Sequence, residues 1–300
     1  MLDDLNSGKD IARLSEELLA RADAAGRWPT PVDDLVAASK LEVAEEESPF
    51  SISVLKRAPK HLKKALAAIG SGRIRAILDR RERTVHVDPG IDNAGRRAFL
   101  QLHEVGHDLL PWQAELAYAD NDSTLSPSTN RLFEREANQT AAELLFQGAR
   151  FAAMASEYET GLGAVADLKK RTGASLRATL RRYAEGHAGA VCAIYLMPSP
   201  CRAAPTAYRR REVSQSAAWS RRFGSAWPYV LDEAAFPFIA AIADPAIGQD
   251  GGLTWPDLDS EPIPMKAEAI KTSFGVALLV WVPRREVFRR KRRLVVAGGV

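Results

Sequence analysis

Cysteine is nearly missing from this chain. Two occur in 300 residues, Cys192 and Cys201, without CxxC spacing. Neither a disulfide framework nor a cysteine-ligated zinc ribbon is therefore expected, and both read as free thiols of a reducing compartment. Long apolar runs are missing too: no stretch of 18 apolar residues exists, so no transmembrane helix is expected. The first residues, Met1-Leu2-Asp3-Asp4, lack the basic and apolar regions of a secretory signal. Charge of one sign is not in excess, and a net charge of +3 does not by itself point to nucleic acid. No Gly-rich phosphate loop, internal repeat or Ser-His-Asp set stands out. With 46% apolar and 26% charged residues, the chain reads as folded and globular, with room for two domains or one large core. The expectation is a cytoplasmic protein with no membrane partner.

Histidine is also scarce, yet two of the five stand four residues apart in His103-Glu104-Val105-Gly106-His107. On a helix these two share a face, one turn above the other, and can bind one metal ion side by side. Glu104 is rotated off that line, within reach of a water held at the metal. Leu100, Leu102, Val105, Leu109 and Leu110 surround the pair, which suits a helix running through a core. The plainer alternative is a helix with two satisfied histidines and a surface glutamate.

A catalytic zinc usually has three protein ligands, so a third must come from another segment. Asn130 to Phe146 is the candidate. Phe133, Ala137, Ala141, Leu144 and Leu145 form an apolar stripe at helical spacing, and the two alanines let another helix approach closely. Glu134 and Asn138 border the stripe. Glu136 lies roughly 200° around the helix from Glu134 and is expected to point away. Glu134 is thus the better ligand, with Asn138 placed to hold the free ring nitrogen of a ligand histidine. An ordinary amphipathic helix would look similar.

These two segments resemble the ImmA/IrrE family of metallopeptidases. The matching residues are His103, Glu104 and His107, then Glu134-Arg135-Glu136-Ala137-Asn138, Ala141 or Ala142, and Leu144-Leu145. The resemblance implies zinc bound by His103, His107 and Glu134, with Glu104 as general base. A His2Glu set also accepts manganese or iron. The sequence departs from the family at Phe146-Gln147, where many members have Met-Pro.

Elsewhere, residues 9–25 read as an amphipathic helix broken by Pro29 and Pro31. A short helix follows near Leu35 and a strand near 41–44. Residues 60–69 suggest a helix. Alternation from Ile74 to Leu78 and at Val85 and Val87, around the charged tip Arg80-Arg81-Glu82-Arg83, reads as a β-hairpin. By analogy with zinc peptidases, its edge strand would take a peptide by strand addition. His86 on that hairpin reads as structural or exposed. Asp92 or Asn93 can cap the histidine helix and Pro111 ends it. The polar loop from about 114 to 130 can close over a substrate, or simply lie on the surface.

Residues 164–171 and 176–183, with Ser175 as a cap, look like a helix-turn-helix in which Arg177, Arg181 and Arg182 could meet phosphates. A plain packing unit is the simpler reading. Ala190–Met197 and Gly275–Val282 are apolar strands, residues 213–223 look helical, and a basic tail follows at 284–293.

The expected fold is α+β: a zincin-like metallopeptidase domain at 1–148, a helix-turn-helix-like segment at 149–187, and an α+β domain at 188–300 in the place where long family members carry a GAF-like sensory domain. The leading expectation is a zinc endopeptidase whose substrate, by resemblance, is a helix-turn-helix repressor. The competing one is a non-catalytic DNA- or protein-binding regulator with a structural or vestigial metal site.

Overall fold

Apolar residues at Ile11, Leu18 and Leu19 recur at helical spacing, and all three are buried along one side of helix α1, Gly8–Arg21. In the computed structural model the described residues are 7–44, 75–113, 127–198, 208–225, 227–231, 236, 251–273 and 275–283. The expected helix at 60–69, most of the polar loop (114–126), Cys201 and the basic tail lie outside them. The chain divides into two compact units, Met1–Phe151 with Arg171–Ala174, and Ala152–Lys170 with Ser175–Val300.

In the first unit, α1 is followed by helix α2, Val32–Ala38, and strand β1, Glu42–Val43. Strands β2 (Ala76–Asp79) and β3 (Thr84–Val87) form the expected antiparallel hairpin, and β1 joins β3 in parallel, giving the order β1-β3-β2. The buried Asp79 shapes the hairpin tip: its Oδ1 accepts from the amides of Arg81 (2.9 Å) and Glu82 (3.2 Å). Helix α3, Ala94–Leu109, starts at Asn93, whose side chain accepts from Arg96 N at 2.9 Å. Helix α4, Pro127–Phe146, packs against both α3 and α1.

The end of α4 explains the departure at Phe146-Gln147. Gln147 is buried with φ 50°, a left-handed conformation that turns the chain out of the helix. Its side chain satisfies the backbone of the loop between α1 and α2. Oε1 accepts from Gly26 N at 2.7 Å, while Nε2 donates to Arg27 O (2.9 Å), Ala24 O (3.2 Å) and Thr30 Oγ1 (3.0 Å). Thr30 Oγ1 in turn donates to Leu145 O at 3.0 Å. A glutamine thus serves as the polar anchor of an otherwise apolar junction.

Among the described residues the second unit is built on a sheet of six strands, all neighbours antiparallel: β4 (Val191–Pro198), β5 (Tyr208–Gln215), β6 (Val230–Leu231), β7 (Gly251–Pro256), β8 (Pro262–Thr272) and β9 (Gly275–Trp281), in the order β6-β5-β4-β9-β8-β7. Register places Cys192 opposite Val280, Ile194 opposite Leu278 and Leu196 opposite Val276. These side chains share one buried face with Met265, Ala267, Trp219, Phe223 and Trp227.

Helix α5 (Ala149–Ala155) leads to α6 (Leu162–Thr172) and α7 (Leu176–Gly186), with Ser175 Oγ accepting from Ala178 N at 3.2 Å. The helix pair therefore stands where the sequence places it, but its arginines are engaged. Arg177 Nε lies 2.6 Å from Glu212 Oε2 on β5, and Arg181 Nε lies 2.9 Å from Glu185 Oε1. Helix α7 packs on β4 and β5 as part of the sheet unit.

Residues 213–223 are not one helix. Val213, Ser214 and Gln215 belong to β5, opposite Ile194, Ala193 and Cys192. Helix α8 begins at Ala217, after Ser216 caps it through Trp219 N at 3.0 Å. Sheet pairing with the central strand β4 overrides the local helical texture.

Replacing Gln147 with alanine leaves the amide of Gly26 and the carbonyls of Ala24 and Arg27 without that partner. We expect a loss on the order of 2–3 kcal/mol in unfolding free energy, read from a lower urea midpoint at unchanged slope.

Candidate metal centre

The site begins with a close helix crossing. Gly106 of α3 faces α4 so tightly that a Cβ there would lie 3.1 Å from Ala137 O, 3.1 Å from Thr140 Cβ and 3.2 Å from Ala137 Cα. Even a methyl group at 106 would require the α4 backbone to give by a few tenths of an ångström. The small residues at 106 and 137 let the α4 backbone close on the histidine turn, and this carries Glu134 to the imidazoles.

His103 Nε2 and His107 Nε2 stand 3.1 Å apart, and Glu134 presents Oε2 at 3.3 Å to the first and Oε1 at 3.6 Å to the second. The ligand atoms of the three residues all lie within 4.8 Å of one another. Two imidazole nitrogens and a carboxylate converging in this way fit one divalent ion of the zinc class. The histidine side chains are mostly covered, 12% and 18% exposed, whereas that of Glu134 is 61% exposed, so within this unit the group opens on the Glu134 side.

Electrostatics follow the geometry. Hydrogen bonds from His103 and His107 hold the Glu134 carboxyl well below the usual carboxylate range. Burial pushes His107 down, but Glu134, Glu104 and Gln113 outweigh it and its pKa rises. Glu104 is buried beside the group, and its pKa is raised by desolvation against the opposing effect of both histidines and a hydrogen bond from the Leu78 backbone. The hairpin also grips the end of α3. Arg80 donates to His107 O at 3.0 Å, and Arg83 clasps Asp108 at 2.6 and 2.8 Å.

All four residues named from HExxH and the second helix, His103, Glu104, His107 and Glu134, come together. Asn138 lies elsewhere: it is exposed, and its amide donates to Glu134 O at 2.7 Å along its own helix. The free nitrogen of His107, Nδ1, meets Gln113 Oε1 at 2.8 Å. Glu136 does not point to solvent. It is buried, and it accepts from Gln113 Nε2 (2.7 Å), Trp112 Nε1 (2.8 Å) and Ser7 Oγ (2.6 Å). The buried stripe of α4 runs through 136/137, 140/141 and 144/145, so it includes the polar Glu136 and Thr140, which a stripe read from apolar residues alone missed. The available signal was Gln113 itself, a polar residue directly after the Pro111-Trp112 stop of α3. His86 is half-buried on β3, with its pKa lowered by burial, and is not in the ligand group.

Among known proteins, the IrrE N-terminal-like domain, a peptidase family, matches residues 67–183. No curated protein matches the chain. Among solved structures, a Mycobacterium tuberculosis transcriptional regulator is similar with a TM-score of 0.51, at 13% identity over 97% of this chain and 92% of that one. At that identity the likeness concerns the fold.

Gly106→Ala tests the crossing. Glycine-to-alanine within a helix ordinarily stabilises by up to about 1 kcal/mol. Here we expect the opposite sign, a net loss of roughly 1–3 kcal/mol from overpacking against the α4 backbone, measured by urea unfolding.

Proposed function

The IrrE N-terminal-like domain at residues 67–183 makes this chain a member of the ImmA/IrrE family, and on that premise we propose that it is a zinc-dependent endopeptidase acting on a protein substrate. The observation that carries this reading is the convergence of His103, His107 and Glu134 within 4.8 Å, with the buried carboxyl of Glu104 beside them. A zinc ion held by those three residues would supply Lewis-acid polarisation of water and of the scissile carbonyl.

The chain's own residues provide the rest. Glu104 takes the proton of the attacking water and delivers it to the departing amine nitrogen. Its desolvated setting raises its pKa, which makes it a stronger base than an exposed carboxylate. The Leu78 amide aims the carboxylate. Among the described residues β2 has a strand neighbour on one side only, which supports substrate binding by strand addition along its other edge. The exposure of Glu134 supports access to the site from solvent on that side.

We take the substrate to be a helix-turn-helix repressor, as the family resemblance implies, with cleavage relieving repression. The fold is shared with a transcriptional regulator, which is in keeping with a regulatory setting. The sheet unit is the candidate sensor, in the position of a GAF-like domain. That same likeness also keeps a second reading open, a non-catalytic regulator that binds DNA or protein. The pairing of Arg177 and Arg181 with Glu212 and Glu185 weighs against phosphate contacts from α7.

The first measurement is metal content by elemental analysis, with His103→Ala prepared alongside. About one zinc per chain, lost in the variant, is expected. Glu104→Gln should keep the metal and lower cleavage of a repressor substrate by roughly 100- to 10,000-fold, while Glu134→Ala should weaken metal binding. Normal cleavage by Glu104→Gln would falsify the mechanism. Salt-sensitive promoter binding without proteolysis, unchanged in Glu104→Gln, would favour the regulator instead.

A further inference from the structure

Glu136 stands two residues from a metal ligand, yet it is 3% exposed and three donors converge on it. Gln113, 1% exposed, is the link between it and the histidine pair. The Nε2 of Gln113 faces Glu136 Oε2 at 2.7 Å and Phe133 O at 3.3 Å. A carboxylate and a carbonyl are both acceptors, so the –NH2 end of the amide belongs there. Turning the amide over would set an oxygen against two oxygens in a place that water does not reach, and two buried hydrogen bonds would be lost.

The orientation of Gln113 is therefore fixed, and its Oε1 is what meets His107 Nδ1 at 2.8 Å. An amide oxygen only accepts, so Nδ1 must carry the proton. A neutral imidazole protonated at Nδ1 has its lone pair on Nε2. That is the nitrogen 3.1 Å from His103 Nε2 and 3.6 Å from Glu134 Oε1.

We propose that Glu136 is a positioning residue: acting through Gln113, it sets the tautomer of His107 and so the lone pair that faces the metal centre. The carboxylate also polarises the amide, making Oε1 a stronger acceptor and Nε2 of His107 a better donor to a metal. Ser7 and Trp112 complete the coordination of Glu136, so the start of α1 is tied to the same chain of bonds. The zinc part of the proposal rests on the metal reading of His103, His107 and Glu134; the tautomer part does not.

The test uses metal-free full-length protein with 15N-labelled histidine, at alkaline pH so that the rings are neutral. Long-range proton–nitrogen NMR reports which ring nitrogen of His107 is protonated, and zinc affinity is measured separately by chelator competition. Wild type should show the Nδ1–H form. In Glu136→Gln the new amide can donate to Gln113 Oε1, allowing Gln113 to turn over. The Nε2–H form should rise and zinc affinity fall roughly 10- to 100-fold.

Gln113→Leu removes the linking amide outright and should act in the same direction. It decides the matter alone if circular dichroism shows that Glu136→Gln does not fold. An Nε2–H form of His107 in wild type overturns the proposal, as do wild-type tautomer and wild-type zinc affinity in the folded variants. A wild type that shows Nδ1–H and the expected tautomer shifts but takes up no zinc would sink the metal reading while upholding the role of Glu136.

Discussion

The contact of Gly106 with the backbone of Ala137 is the constraint on which the first unit turns. An HExxH helix by itself offers two imidazoles and no third ligand. Helices normally pack at 8–10 Å between axes, and small residues on both faces bring their backbones nearer. Here the missing side chain at 106 and the small one at 137 let α4 lie directly on the histidine turn. The same contact places Glu134 and Glu136 on either side of the crossing. One reaches the Nε2 atoms of the histidines, and the other reaches Gln113, which holds Nδ1 of His107. The outer and inner supports of the site are thus two carboxylates of one helix.

What was legible in the sequence was local. Spacing alone put His103 and His107 on one face, a cap at Asp92 or Asn93 and another at Ser175 were visible, and the hairpin tip at 80–83 showed as a charged turn between alternating strands. Glu134 followed because a stripe at helical period has an edge, and a carboxylate at that edge faces whatever packs there. The bonds that were not legible join distant parts of the chain. Ser7 and Glu136 are 129 residues apart, and Gly26 and Gln147 are 121 apart. No periodicity connects such positions. In the sheet unit, β8 carries Pro262 and Pro264, residues with no amide donor to give to a ladder. They sit in a strand that alternates buried Ile263, Met265, Ala267 and Ala269 with more exposed residues. Tertiary pairing decided the structure there, as it did at residues 213–215.

The helix pair shows how a charge pattern can mislead. Arg177, Arg181 and Arg182 make α7 basic in sequence, but Glu212, from a strand 35 residues after Arg177, lies against two of them. Exposed ion pairs of this kind contribute little to stability. Their effect is on what the surface offers to a polyanion, because a guanidinium already shared with a carboxylate must give up that partner before it can take a phosphate. The basic helix face is therefore much less electropositive than a count of arginines implies.

The ligand group also joins two helices that the chain connects only through a long segment, since Glu134 follows His107 by 27 residues. Under the proposed metal reading, an ion bound by all three side chains would act as a cross-link. It would hold the native crossing and have no comparable partner in the unfolded chain, so occupancy and fold stability would form one linked equilibrium. The free energy of that linkage would depend on the free ion concentration around the protein. The rigidity of the α3–α4 crossing would then be set partly by the metal supply, and scarcity of the ion would soften the domain itself as well as empty its centre.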